Sequence, residues 1–126
     1  MTDFLQPTDV LALHTEQIER YGGEHGVRDL GLLESAVAQA RATFGGEYLR
    51  GDLFEMAAAY LFHIVQNHPF LDGNKRSGAV AALVFLDING IEIEAPKGCI
   101  FDLTMAVARG EMDKAEIAEF FRSWAH

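Results

Sequence analysis

Two helix-like runs, each apolar almost all the way round, flank one short polar stretch, and this arrangement most narrows what the chain can become. One run spans Asp52 to about Gln66 (DLFEMAAAYLFHIVQ) and the other about Asn74 to Asn89 (NKRSGAVAALVFLDIN). Helices apolar on every face belong inside a core. Pro69 disfavours helical geometry at His68, so the first run should end there. Gly73 permits a sharp, positive-φ turn before the second run begins. The stretch HPFLDGNKR, residues 68–76, is therefore expected as a tight loop between two buried helices.

The charge order in that loop points to chemistry. Lys75 and Arg76 fall in the first turn of the second helix, where the macrodipole is already positive and free N–H groups point outward. Stability alone would prefer Asp or Glu there. Two cations added to a positive helix end make sense when an anion binds, and a polyphosphate suits the place. Asp72 offers a hard carboxylate oxygen able to hold Mg²⁺ against that phosphate. Asn74 adds an amide to the cradle. His68, across the turn, is the side chain able to be neutral near pH 7 and accept a proton. Phe70 is the apolar residue of the loop, expected to plug into the core and fix the loop's shape. The plain alternative, a solvated helix start with an incidental histidine, does not explain why base, carboxylate, glycine and paired cations coincide.

Residues 68–76 resemble the signature of the Fic/Doc (Fido) family, a loop of the form HxFx(D/E)GN(G/K)R before a buried helix. Lys75 stands where two branches of that family part. AMP-transferring Fic proteins carry Gly there, and death-on-curing (Doc) toxins of toxin–antitoxin modules carry Lys. RYGG followed by GVRDLGLLESAVAQA also resembles Doc-type proteins, so the likeness covers most of the chain. It implies an ATP-dependent protein kinase with Mg²⁺ that modifies a Ser or Thr of a target, elongation factor Tu by resemblance, and so arrests growth. In those roles His68 is the base and Asp72 the metal ligand. Gly73, Asn74, Lys75 and Arg76 bind phosphate. AMP transfer by the same site, and a binding module whose motif is a relic, are the alternatives; the intact His, Asp, Asn and Arg weigh against the second.

The whole-chain properties fit this reading. A chain of 126 residues with 49% hydrophobic content suits one domain with one core. A formal charge of −9 and a pI near 4.8 argue against a broad nucleic-acid surface, which needs a basic face. The longest apolar stretch, near Gly78 to Leu86, is too short to span a bilayer. The N-terminus MTDFLQPTD carries acids where a secretory leader carries basic residues. The single Cys99 has no internal disulfide partner, which suits a reducing cytoplasm.

In chain order, Pro7-Thr8-Asp9 should open a first helix reaching about Tyr21, with Val10, Leu11, His14, Ile18 and Tyr21 on its buried stripe. His14 there reads as a partly buried structural histidine. Gly22-Gly23 should stop the helix. Asp29 should cap a second helix to about Thr43, with Leu30, Leu33, Val37 and Ala40 inward. Arg41 to Gly51 (RATFGGEYLRG) reads as a short hairpin or as an ordinary surface loop. In Fido proteins the corresponding segment is a flap that registers the target chain, which would involve Phe44, Gly45, Gly46, Glu47 and Tyr48. Asp52 with Glu55, and Asp113 with Glu116, resemble capping boxes. Ile91 to Glu94 alternates like a short edge strand, and Asp102 to about Arg109 reads as a fifth helix. Ile117, Phe120, Phe121 and Trp124 form the core stripe of a last helix. The expected fold class is all-α: a compact Fic-type bundle with at most a hairpin or edge strand.

Other chemistry finds no support. His63 and His68 do not share a helical face, and neither His25 nor His126 has a companion at metal-ligand spacing. HExxH, CxxC and Walker-type patterns are absent from the sequence. Ser77 follows the cations and is placed to touch a phosphate, but a Ser–His–Asp nucleophile would lack an oxyanion hole. Many Fic proteins carry an inhibitory (S/T)xxxE(G/N) helix. The nearest approach here, Thr43 to Tyr48 (TFGGEY), has two glycines and makes a poor helix. The expected brake is therefore an antitoxin acting in trans, folding a disordered segment onto a groove of the bundle.

Overall fold

A computed structural model of the protein describes residues 2–44, 47–48 and 52–126. Its elements are α1 (Pro7–Tyr21), α2 (Leu30–Ala40), β1 (Thr43–Phe44), β2 (Glu47–Tyr48), α3 (Leu53–Asn67), α4 (Asn74–Ile88), α5 (Cys99–Ala108) and α6 (Lys114–Ser123). The fold is all-α apart from that two-stranded ribbon.

The middle of the bundle is α3, as its all-round apolarity requires. The run Met56 to Leu61, with Ile64 and Val65, is buried on every side, and α4, α2, α6 and α5 all pack against it. Gly78 is what lets α4 lie so close: a Cβ there would stand 2.9 Å from Val65 Cγ2 and 3.3 Å from the Leu61 carbonyl. The N-terminal residues are tied down by Tyr60, whose buried hydroxyl accepts from the Leu5 N–H at 2.9 Å. Burial pushes that phenol up to about 12.

Caps set most boundaries where polar residues mark them. Asp29 accepts from the Leu32 N–H, Asp52 from Glu55, and Asp113 with Glu116 closes a full capping box. The hairpin reading holds: β1 and β2 pair antiparallel, Thr43 opposite Tyr48 and Phe44 opposite Glu47. Gly45 and Gly46 lie outside the described residues. The expected edge strand reduces to one bridge, Ile93 opposite Ala125.

Several expectations need correction. The second helix stops at Ala40 and the chain turns into β1, instead of running to Thr43. The fifth helix begins at Cys99. Its cap is Gly98, with φ 90 and no side-chain bond, so Asp102 marks the first turn and not the start. Leu30 (52% exposed) and Tyr21 (64%) face solvent, because each is the terminal residue of its helix and lies beyond the packed stripe. Trp124 caps α6 and is also exposed, leaving Ile117 and Phe121 as its buried anchors. Finally, α4 is not buried all round. Asn74, Ser77, Gly78, Ala81, Ala82, Phe85 and Leu86 face inward, while Ala79, Val80 and Leu83 line a groove of about 460 Å³ against Ile100, Phe101 and Met105 of α5.

Candidate active site

The loop from α3 to α4 is held by both of its neighbours. Pro69 cannot continue α3, so His68 closes the helix in a left-handed conformation, φ 54, with its N–H on the Ile64 carbonyl. Among the described residues no other non-glycine has positive φ. That conformation costs about 1–2 kcal/mol, and Arg28 helps hold it. The Arg28 guanidinium donates from Nε to the His68 carbonyl at 2.7 Å and from Nη2 to the Asn67 carbonyl at 2.9 Å. A cation on the last carbonyls of a helix also suits the macrodipole.

The segment between α1 and α2 forms the other wall. The Arg28 and Asp29 N–H groups both donate to the Pro69 carbonyl, the Leu71 N–H donates to Gly26, and Val27 bridges Phe70. Phe70 is fully buried and stacks on His14, with centroids 3.8 Å apart and planes 3° from parallel. His14 Nε2 lies 2.8 Å from the Asp72 carbonyl, so the structural role expected of His14 is to brace this loop. Burial pushes His14 below its ordinary 6.5, outweighing the pull of that hydrogen bond in the other direction.

Beyond Phe70 the loop becomes a cradle. The Asp72 carboxylate is exposed and accepts the Glu24 N–H at 3.0 Å and the Gly73 N–H at 2.8 Å. These two bonds, Glu24 first, hold its carboxyl below the usual carboxylate range. Gly73 takes φ 76 and starts α4 without a side-chain cap, so the N–H groups of Asn74, Lys75 and Arg76 have no acceptor among the described residues. Lys75 is exposed and unpaired among the described residues. Arg76 donates from Nη2 to the Gly22 carbonyl at 2.9 Å, which moors it to the end of α1.

The Gly22-Gly23 pair does more than stop a helix. Gly23 has φ 127, and a Cβ on it would meet Asp72 Oδ2 at 2.6 Å and Arg76 Nη2 at 3.1 Å. Only a bare backbone lets the carboxylate and the guanidinium converge there.

His68, Leu71, Asp72, Gly73, Asn74, Lys75 and Arg76 together enclose a cavity of about 170 Å³. The loop residues singled out from the sequence thus share one site, and Phe70 lies beneath it. The cavity suits a phosphate group and its counter-ion; a whole nucleotide must extend beyond it. An ionised exposed carboxylate, free helix N–H groups and an unpaired lysine are the donor set that a metal-bound polyphosphate needs. Ser77 is excluded from this cradle: it is fully buried, and its hydroxyl has no partner among the described residues.

The Fic/DOC family matches residues 4–86, from before α1 into α4, and so includes both walls of the site. The chain belongs to that family. Within it, the chain is 36% identical over 119 residues to a protein named Protein kinase doc from Escherichia phage P1, covering 94% of this chain and 92% of the relative. It is 44% identical over 95 residues to Toxin Doc of Mycolicibacterium smegmatis, covering 75% of this chain and 71% of that one. Arg28, Gly26 and Glu24 hold the site together but were given no role from the sequence, and Gly23 was given only that of a helix stop. Their contribution is made through backbone contacts, and the likeness of RYGG and GVRDL to Doc proteins was the one signal of it.

Proposed function

We propose that this chain is a Doc-type toxin: a protein kinase that moves the γ-phosphoryl group of ATP to a Ser or Thr of a target protein in the cytoplasm. The observation that carries this reading is Lys75, a cation without a partner among the described residues, on the wall of a phosphate-sized cavity beside α4 N–H groups equally without one. Those N–H groups and Lys75 take the γ-phosphate, and Arg76, moored by Gly22, contributes fixed positive charge. Asp72 would hold Mg²⁺, which when bound neutralises charge on the phosphates. His68 takes the proton of the target hydroxyl as its oxygen forms a bond to the γ-phosphorus. The bond from that phosphorus to the bridging oxygen breaks, and ADP leaves. By family resemblance the target is elongation factor Tu and the outcome is growth arrest.

The control is an antitoxin in trans. Thr43 and Phe44 pair with Tyr48 and Glu47 as strands, which supports a brake supplied by another chain over an inhibitory helix at this place. The apolar groove between α4 and α5 ends at Lys75 and Arg76. It suits an amphipathic antitoxin segment whose acidic end covers those cations.

Labelled ATP distinguishes the two transfers. Label from the γ-phosphate should appear on the target, and label from the α-phosphate should not. Lys75→Gly should lower phosphoryl transfer by about a hundredfold and open room for weak AMP transfer. Label from the α-phosphate on the target of the unaltered protein would replace the kinase reading with AMP transfer.

A further inference from the structure

Asn74 is buried (4% exposed), and its side-chain amide makes three contacts within the loop. Its Oδ1 accepts the Phe70 N–H at 2.9 Å, and its Nδ2 donates to the Phe70 carbonyl at 3.0 Å. A backbone N–H can only donate and a backbone carbonyl can only accept, so these two bonds fix which end of the carboxamide is which. The remaining Nδ2 hydrogen meets His68 Nδ1 at 3.1 Å. An imidazole carrying its proton on Nδ1 would set N–H against N–H at that contact. The neutral ring must therefore hold its proton on Nε2, and its one basic lone pair is already occupied by Asn74.

The His68 backbone cannot relieve this. Its N–H is bound to Ile64 and its carbonyl to Arg28, so only the side chain is free to turn.

We propose that Asn74 is a positioning residue that latches the catalytic base. In the resting protein, the His68 nitrogen directed away from Asn74 is a proton donor, and the nitrogen able to accept is covered. The base is armed only when the Asn74–His68 contact opens. The freed imidazole then accepts the hydroxyl proton, becomes imidazolium, and returns the proton to solvent after transfer. This rests on His68 being the base of the proposed reaction. The latch itself is a property of the protein without nucleotide or target.

Nitrogen-15 NMR of the full chain, at a pH where His68 is neutral, reads the latch directly. The spectrum should show the Nε2–H tautomer, with a scalar coupling across the hydrogen bond from the Asn74 side-chain amide to His68 Nδ1. In Asn74→Asp the carboxylate accepts where the amide donated, and the ring should switch to the Nδ1–H tautomer. A ring found with its proton on Nδ1 in the unaltered protein, or no coupling to the Asn74 amide, overturns the proposal. Either result needs only the spectrum of the unaltered protein, so the test stands even if the variant fails to fold. Because neither ATP nor a target is present, the outcome is independent of which group the protein transfers.

Discussion

The two loops that meet at the site are built on opposite plans. The loop of residues 68–76 places side chains around a cavity: a histidine, a carboxylate, a lysine and an arginine. The loop of residues 22–29 supplies mostly backbone. It gives Asp72 the Glu24 N–H, gives Pro69 two N–H groups, gives Leu71 and Arg76 a carbonyl each, and keeps Gly23 bare so that charges can converge. Its one long side chain in that role, Arg28, also acts on backbone carbonyls. The comparison separates doing the chemistry from holding it in place. Substitutions of the first loop's histidine and charged side chains should cost rate with little stability, and substitutions in the second should cost both.

The largest expected effect is at His68. His68→Ala should lower transfer on the order of a hundred- to ten-thousandfold while thermal unfolding stays close to that of the unaltered protein. A well-folded variant with near-normal turnover would remove His68 from the mechanism. Gly23→Ala comes next and should show the opposite signature. Its Cβ would stand 2.6 Å from Asp72 Oδ2 at a φ that L residues rarely adopt. We expect a loss of about 1–3 kcal/mol, visible as a lower denaturation midpoint, together with weaker Mg²⁺-dependent activity. Retention of both stability and activity would mean that the second loop is not needed where the contacts place it. Arg28→Ala should be milder, about 1 kcal/mol with a roughly tenfold fall in rate as the His68 backbone loosens. A fall in stability with unchanged kcat would reduce Arg28 to a helix cap.

The smallest effect is a matter of pH. His14 is held below its ordinary 6.5 in the folded state, so the unfolded chain binds its proton first as the solution is acidified. The stability it contributes is full above 6.5 and is lost as the pH falls toward the folded value. Denaturation curves across that interval should show this loss. His14→Gln keeps a donor for the Asp72 carbonyl but cannot titrate, and should flatten the curve there. An unchanged slope would place the titrating group elsewhere.

The same division explains what could be read from the sequence. The first loop was legible because its residues are anomalous: cations at a positive helix end, and a carboxylate and glycine beside a histidine. The core helix α3 was legible because no surface helix is apolar on all sides. The second loop was not, since Glu24 and Gly26 act through main-chain atoms that any residue carries. Arg28 has no neighbour in the sequence that marks its hold on two main-chain carbonyls. The burial of Tyr21 and Leu30 was misjudged, although the helix ends there were not, because periodicity does not show where the packed neighbour stops. Gly98 hid the start of α5, since a glycine cap has no polar side chain to advertise it. The exposed side of α4 was missed for a different reason: an apolar stripe reads the same whether a neighbouring helix covers it or leaves a groove.

The measurement that bears most directly on the proposed chemistry is the intact mass of elongation factor Tu after incubation with this protein, ATP and Mg²⁺. Phosphoryl transfer adds about 80 Da at a Ser or Thr, and the addition should disappear with His68→Ala. A gain of one AMP group instead, or a phosphate that appears equally with the His68→Ala protein, would contradict it.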